Sequence, residues 1–221
     1  LIERIVHMMK KKGEDYDIDD MIRAVREDEK SEQTVRDALE NRLKGTEAWG
    51  VFSKDGTPLK ELAAGGQVTV LDVSCYATSP GGWKIKSLIV GIISKKLFIE
   101  RMIARKNDEY QTIHEAMHYF SEEHKKKKMK LPMVWLVIDE AHEFLPNKGK
   151  TAASDALVTI LREGRQPGIS LILASQQPGK IHTDVMTQSD TVLSHRITAK
   201  IDVEALGTLM QSYMREGLNV Q

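Results

Sequence analysis

Two adjacent carboxylates, Asp139 and Glu140, are the side chains whose position in the sequence most directly suggests chemistry. They follow the apolar run 134–138 without an intervening turn residue. Such a run predicts a strand inside a parallel sheet, covered by helices on both faces. Ligands of open α/β sheets bind at the carboxyl ends of strands. The pair therefore suggests that one carboxylate holds Mg²⁺ on a nucleotide while the other orients and polarises a water. The alternative is a buried strand that simply ends in solvent.

Two further side chains extend this candidate site. Gln176 follows the next predicted strand, 169–174, so a parallel pairing would bring its amide to the crevice beside the carboxylates. There it could hydrogen-bond a phosphate or the attacking water, or simply bond to loop backbone. Arg165 follows a predicted helix over 154–163 and offers positive charge for a phosphate, on this or an adjacent subunit. Its alternative role is a surface salt bridge, which contributes little.

The glycine-rich loop GxxxxGK[ST] that cradles nucleotide phosphates does not occur in the sequence. Gly149-Lys150-Thr151 has the ending of that motif, but Phe144 stands where its first glycine belongs. Residues 82–87 end in Lys-Ser with the wrong spacing. Without the lysine and amides of such a loop, we expect the chain alone to bind nucleotide poorly.

Composition limits the classes of function. Of 221 residues, 41% are hydrophobic and 29% charged, and the formal net charge is zero, so any DNA contact must come from local basic patches. The single Cys75 excludes an internal disulfide and fits the reducing cytoplasm. We expect no membrane span and no signal peptide. The first residue is Leu1, and we expect the chain to be a piece of a longer protein.

The apolar patterning divides the chain into two regions. Residues 1–62 predict a helical insertion or subdomain with three amphipathic helices, an N-cap at Asp15 or Asp17 and a helix end at Gly45. Residues 63–221 alternate between strands and helices, which predicts an α/β fold with a mostly parallel sheet flanked by helices. The expected strands are 68–73, 134–138, 169–174 and 191–197, and the expected helices are 84–105, 109–127, 154–163 and 202–215. The lysine run 125–128 is expected to be a solvated helix end, with phosphate binding as the alternative.

Three segments together resemble the HerA–FtsK superfamily of P-loop ATPases, and in particular archaeal HerA-type DNA translocases. They are VWLVIDEAHEFLP, LREGRQPGISLILASQQPGKI and QSDTVLSHRI. The resemblance is strong over about residues 130–210 and weaker over 57–105. Residues 1–50 correspond only to the helical insertion of that family.

The resemblance implies a RecA-like, additional-strand sheet, of which residues 63–221 would form the C-terminal part of an incomplete domain. It implies a homo-hexameric ring that moves duplex DNA through its centre using ATP and Mg²⁺, in DNA end processing and repair. It also implies the nuclease NurA as a partner, whereas the expected cytoplasmic location follows from the single Cys75. The family's amino-terminal barrel and its P-loop would lie outside this chain.

Site residues follow from the resemblance position by position. Asp139 would be the Mg²⁺ aspartate, Glu140 the catalytic glutamate, Arg165 a trans-acting arginine finger and Gln176 a sensor of the γ-phosphate. Two departures weaken the expected positive charge near the site: Gln166 replaces the usual lysine after Glu-Gly-Arg, and Gln177 replaces a frequent arginine.

Other assignments stay open at this point. Residues 139–142 spell the DEAH box of superfamily 2 helicases, but the arginine motif of those enzymes lies in a second domain, whereas Arg165 precedes the next strand. The chain could also belong to a ring ATPase of conjugation or protein transport, or be a degenerate interaction module without ATPase activity. An intact P-loop upstream would indicate a motor.

Overall fold

The computed structural model describes residues 1–13, 15–53, 55–79, 81–117 and 131–211. It divides the chain into two compact units, Leu1–Pro58 and Leu59–Gln221. The assignment of the first to a family insertion and of the second to a RecA-like core stays a prediction.

The first unit consists of three helices, α1 (Ile2–Lys12), α2 (Ile18–Arg26) and α3 (Gln33–Glu47). Of the two predicted N-caps, Asp17 is the one that caps α2. Its side chain accepts a hydrogen bond from the Asp20 backbone N–H while the Asp20 carboxylate accepts one from the Asp17 N–H. The predicted helix end at Gly45 is wrong, because α3 continues through it to Glu47. The helices enclose a small apolar core of Ile5, Met9, Ile22, Ala24, Val25 and Leu43.

Ion pairs on the surface of this unit join α2 to α3. Arg26 donates two hydrogen bonds to the Glu40 carboxylate, at 3.0 and 2.5 Å, and Lys44 lies 2.7 Å from the same group. The Arg26 hydrogen bond is the main cause that lowers the pKa of Glu40 from its ordinary 4.5 to about 2.

Two parallel strands form the centre of the second unit. β1 (Val134–Ile138) pairs with β2 (Ile169–Leu173) in a register that places Val134 beside Ile169 and Ile138 beside Leu173. Both strands and the parallel pairing are as predicted, and the mixed helix–strand arrangement is compatible with an incomplete α/β domain.

The helices of the second unit are α4 (Leu59–Leu62), α5 (Gly82–Met117), α6 (Ser154–Glu163), α7 (Thr183–Gln188) and α8 (Lys200–Gln211). The helix α6 has the predicted bounds. The two helices predicted over 84–105 and 109–127 are one continuous helix as far as Met117, so a break near residue 107 is wrong. Residues 118–127, the lysine run 125–128 and residues 212–215 of the last predicted helix lie outside the described part of the chain.

Helices cover one face of the sheet among the described residues. Alternate β1 side chains Val134, Leu136 and Ile138 turn toward α5 and α6, whereas Trp135 is 71% exposed. The expectation of helices on both faces is therefore wrong for this part of the structure. The main core lies between the covered face, α6 and the segments that follow each strand, and its buried members are Ile138, Ala141, Phe144, Leu145, Ala153, Leu157, Ile181 and Val185.

Two predicted strands are absent from the described structure. Residues 68–73 and 191–197 have no regular hydrogen-bonded structure, and Val68 and Leu193 are each 90% exposed. A strand needs a neighbour to pair its backbone groups, and no described strand lies alongside either segment. Among the described residues, no helix combines the length and the apolar character needed to cross a bilayer.

Candidate functional site

The acidic pair lies at the carboxyl edge of the sheet, directly beside the segment that carries Gln176. The pairing of the strands continues past their ends, because the Ala174 N–H donates to the Ile138 carbonyl and the Ala141 N–H donates to the Ala174 carbonyl, both at 2.9 Å. These bonds hold residues 139–141 against residues 174–176. The predicted juxtaposition of Asp139 and Glu140 with Gln176 is therefore present in the structure.

Glu140 and Gln176 are in direct contact. The Gln176 side-chain amide Nε2 donates a hydrogen bond of 2.8 Å to Glu140 Oε1. A carboxylate oxygen that accepts a hydrogen bond from a positioned amide is fixed in direction. The glutamine is therefore positioned to control where the Glu140 carboxylate points.

The backbone of Glu140 is unusual. Its φ of 48° and ψ of 46° are left-handed, and it is the one residue other than glycine with positive φ among the described residues. This conformation costs an L-residue roughly 1–2 kcal/mol. It is stabilised here by the Ala141 bond to Ala174 and by the Glu140 N–H, which donates to Asp139 Oδ1 at 2.9 Å. Strained backbone of this kind concentrates at functional sites.

His142 connects the two strand ends and was missed by the sequence reasoning. Its Nδ1 lies 3.0 Å from Ser175 Oγ and 3.3 Å from Glu140 Oε2, and its Nε2 lies 3.4 Å from the Gln177 side-chain amide. The side chain of His142 is only 15% exposed. A polar side chain two residues after Glu140, with a serine at the end of the neighbouring strand, was the available sequence signal.

The second carboxylate oxygen of Glu140 has an incomplete environment. Glu140 Oε2 is buried and accepts no hydrogen bond from the described residues, because His142 approaches it at 3.3 Å without suitable alignment. A buried carboxylate oxygen without a donor is unfavourable unless something else supplies one. A water or hydroxyl group at this point would complete its environment.

Asp139 is exposed at the same edge, and it has the chemistry expected of a magnesium aspartate. One of its oxygens accepts the Glu140 N–H, and the other accepts no hydrogen bond from a described residue. No cluster of three or more metal-binding side chains occurs among the described residues. Mg²⁺ is typically held by one or two carboxylates, substrate phosphates and water rather than by an all-protein cage. The donor set therefore fits magnesium that arrives with a nucleotide.

The segment after Gln176 is hydrogen-bonded to α8 and to the loop after β1. The Gly179 N–H donates a 2.9 Å bond to Asp202 Oδ1, in the first turn of α8, and the Gly179 carbonyl accepts from the Asn147 side chain at 2.9 Å. Asp202 is 8% exposed. These contacts fix the loop that carries Gln176 to a helix and to the loop after β1.

The structure does not bring Arg165 to this edge. Arg165 lies in the turn between α6 and β2, whereas Gln176 follows the opposite end of β2. The four residue steps of β2 alone separate the two edges by about 13 Å. Arg165 is exposed and forms no hydrogen bond or ion pair with its side chain among the described residues. Within one chain it therefore cannot act together with Glu140.

Curated archaeal proteins match the chain. A probable DNA double-strand break repair helicase HerA from Methanocaldococcus jannaschii is 31% identical over 147 residues, covering 62% of this chain and 27% of that protein. The DNA double-strand break repair helicase HerA from Pyrococcus furiosus is 29% identical over 136 residues, covering 60% and 24%. A probable helicase from M. jannaschii is 30% identical over 69 residues, covering 31% and 14%.

No protein-family profile matches the chain. The chain spans about a quarter of the length of the two HerA proteins that it matches. The matches agree with the resemblance that the strand-end motifs predict, and they favour it over the superfamily 2 alternative. The chain is therefore similar to HerA-type proteins over 60–62% of its own length.

Proposed function

We propose that this chain is part of the motor domain of an ATP-driven DNA translocase or helicase in DNA end processing and repair. The observation that carries the proposal is the hydrogen bond between Gln176 and Glu140 at the carboxyl edge of a parallel strand pair. It joins Glu140, which is proposed to activate the attacking water, to Gln176, which is proposed to sense the γ-phosphate. The names of the relatives support DNA as the substrate.

The proposed architecture extends the part that is described. Residues 63–221 would form the C-terminal portion of a RecA-like sheet, and residues 1–62 a helical insertion. The exposed segments 68–73 and 191–197 would add strands when neighbouring strands are present. The complete protein would form a homo-hexamer around duplex DNA and act with a NurA-type nuclease.

In the proposed mechanism, bound ATP and Mg²⁺ supply the phosphoryl group and the charge that stabilises its transfer. Asp139 would hold the metal with its carboxylate, directly or through water. Glu140 turns its carboxylate from Gln176 toward a water molecule, orients it and accepts its proton. Gln176, once free of Glu140, donates its amide N–H to a γ-phosphate oxygen. This contact exists with ATP and is lost with ADP, so Gln176 distinguishes the two nucleotides.

Arg165 acts on the neighbouring subunit in this proposal. Its position at the amino edge of β2 keeps it from the acidic pair of its own chain, and its exposed side chain is available to a second copy. A cation delivered across the interface would neutralise charge on the transferred phosphoryl group. Hydrolysis would then depend on assembly of the ring.

The test uses the full-length gene product. We expect ATP hydrolysis that increases with linear duplex DNA, with a DNA affinity that falls steeply as salt increases. Glu140→Gln should bind ATP with wild-type affinity and lose turnover, because it keeps the shape and hydrogen bonds of the side chain but not its basicity. Glu143→Gln, an exposed carboxylate three residues away, is the matched control and should hydrolyse normally. Undiminished hydrolysis by Glu140→Gln would refute the assignment, and hydrolysis that is indifferent to DNA would refute the cargo.

A further inference from the structure

A buried arginine in α5 holds the turn that carries Arg165. Arg101 is 4% exposed, and its Nε donates a 2.8 Å hydrogen bond to the Pro167 carbonyl. Its Nη1 donates a second bond to the Leu131 carbonyl, just before β1. The same side chain therefore fixes the approach to both strands at the edge opposite the acidic pair.

Arg101 is an unusual choice for a purely structural contact. No carboxylate among the described residues forms an ion pair with it, and its hydrogen bonds are to carbonyl oxygens. Burial lowers the pKa of Arg101 from its ordinary value, with a smaller opposing contribution from Asp108. Burying a charge without a close counter-ion is unfavourable. The planar guanidinium nevertheless has several donors in a rigid arrangement, and these fix the backbone at Pro167 and at Leu131.

The turn itself leaves little freedom. The Ile169 N–H donates to the Gly164 carbonyl at 2.8 Å, and the Gly168 N–H donates to the Arg165 carbonyl at 3.2 Å. A Cβ on Gly164 would lie 2.4 Å from the Ile160 carbonyl oxygen. Only glycine therefore fits at this position between the end of α6 and the turn. Gly168 has a φ of 76°, which favours glycine.

The result is a fixed backbone beneath a free side chain. Pro167 is fully buried and bonded to Arg101, whereas Arg165, two residues earlier, is exposed. An arginine that only kept the surface polar would not require its backbone to be fixed in this way. An arginine that contacts a phosphate on another molecule binds more favourably from a fixed backbone, because less conformational entropy is lost when the contact forms.

We propose that Arg101 is a positioning residue for Arg165, holding the 164–168 turn so that Arg165 projects toward the hydrolytic site of a neighbouring copy. The inference rests on the proposed function, since it requires Arg165 to act in trans. Arg101 is buried, so its side chain would affect the subunit interface only through the 164–168 turn that it holds.

The test is a complementation experiment with the full-length protein. Arg101→Met keeps the apolar stem of the side chain and removes the carbonyl contacts. Alone, it should lose at least about tenfold in kcat with KM for ATP unchanged, in the direction of Arg165→Ala, for which a loss of about 10³-fold is expected from the usual contribution of an arginine finger. The double variant should lose no more than Arg165→Ala, because the two residues act through one contact.

Mixed rings separate positioning from general damage. Glu140→Gln subunits keep a normal Arg165 but have no working site of their own. Mixed with Arg101→Met subunits, they should restore hydrolysis, because the Arg101→Met site is intact and receives a normal arginine from its neighbour. Mixing Arg101→Met with Arg165→Ala should restore nothing. Arg105→Met, one helical turn away in an exposed pair with Glu109, is the matched control and should behave as wild type.

Each result decides between the two proposals. Wild-type kcat for Arg101→Met, or loss that Glu140→Gln subunits cannot restore, overturns the role of Arg101. If Arg101→Met does not fold, Arg101→Lys replaces it, and it should show a smaller loss with the same restoration. Failure of both to fold would assign Arg101 to the fold alone and overturn the inference. Wild-type hydrolysis by Arg165→Ala or Glu140→Gln would instead refute the proposed function itself.

Discussion

The left-handed backbone of Glu140 gives a prediction that depends on one residue and on no assumption about nucleotide. Replacing Glu140 by glycine and by alanine removes the carboxylate in both cases. The two variants then differ in whether a Cβ must occupy the left-handed region. Their difference in stability therefore reports the backbone strain, reduced by the larger conformational entropy of glycine in the unfolded chain, and excludes the contacts of the Glu140 side chain.

The expected magnitude follows from two opposing effects. The left-handed conformation costs alanine roughly 1–2 kcal/mol, which glycine avoids. The unfolded chain with glycine has more conformational entropy than the chain with alanine, which costs the glycine variant about 0.4–1 kcal/mol more on folding. We therefore expect Glu140→Gly to be more stable than Glu140→Ala by about 0.8 kcal/mol. With a urea dependence of about 2 kcal/mol per molar, the midpoint of unfolding should differ by about 0.4 M.

The assay combines urea unfolding with hydrogen exchange of peptides that cover β1 and the loop after it. The control is the same pair of substitutions at Glu109, an exposed position in the regular helix α5. There the order should reverse, with alanine more stable than glycine by about 1 kcal/mol. If alanine is the more stable variant at Glu140 as well, the left-handed conformation is not present in solution and the strain argument fails.

Three other predictions concern separate contacts. His142→Ala should lower kcat for ATP at least about tenfold with KM unchanged, since it removes a contact to a charged group, and His142→Asn should lose less; equal loss in both would contradict a positioning role. Carbon-13 NMR should find a pKa of about 2 for Glu40, and Arg26→Ala should return it toward 4.5. Because folding depresses this pKa, its stabilising contribution is complete above about 4.5 and is lost as pH falls toward about 2, so an unshifted Glu40 would contradict the contact. Asp202→Ala should lower Tm by about 6 °C, because the Gly179 N–H loses its buried partner at about 2 kcal/mol, whereas Asp202→Asn keeps an accepting oxygen and should change Tm little.

Much of the candidate site could be predicted because its determinants are local. The apolar run 134–138, the run 169–174 and the helix between them each identify themselves by pattern and length. A short helical connection between two such runs predicts a parallel pair, and that pairing places Gln176 beside Glu140. The structure confirms these elements and this juxtaposition, and it adds the direct hydrogen bond between Gln176 and Glu140.

The remaining errors come from contacts that a single segment does not encode. Residues 68–73 have strand composition, but composition does not supply a neighbouring strand. The predicted break near residue 107 is bridged within α5, where Arg105 pairs with Glu109 at 3.1 Å. The left-handed Glu140 and the burial of Arg101 depend on partners distant in sequence, so no local pattern announces them.

The most direct test of the central claim is the structure of the full-length protein with Mg²⁺ and a non-hydrolysable ATP analogue. We predict the metal beside the Asp139 carboxylate, the γ-phosphate within hydrogen-bonding distance of the Gln176 amide, and the Glu140 carboxylate turned from Gln176 toward the attacking water. Nucleotide bound at the opposite edge of the sheet, with Glu140 and Gln176 still bonded to each other, would contradict this prediction.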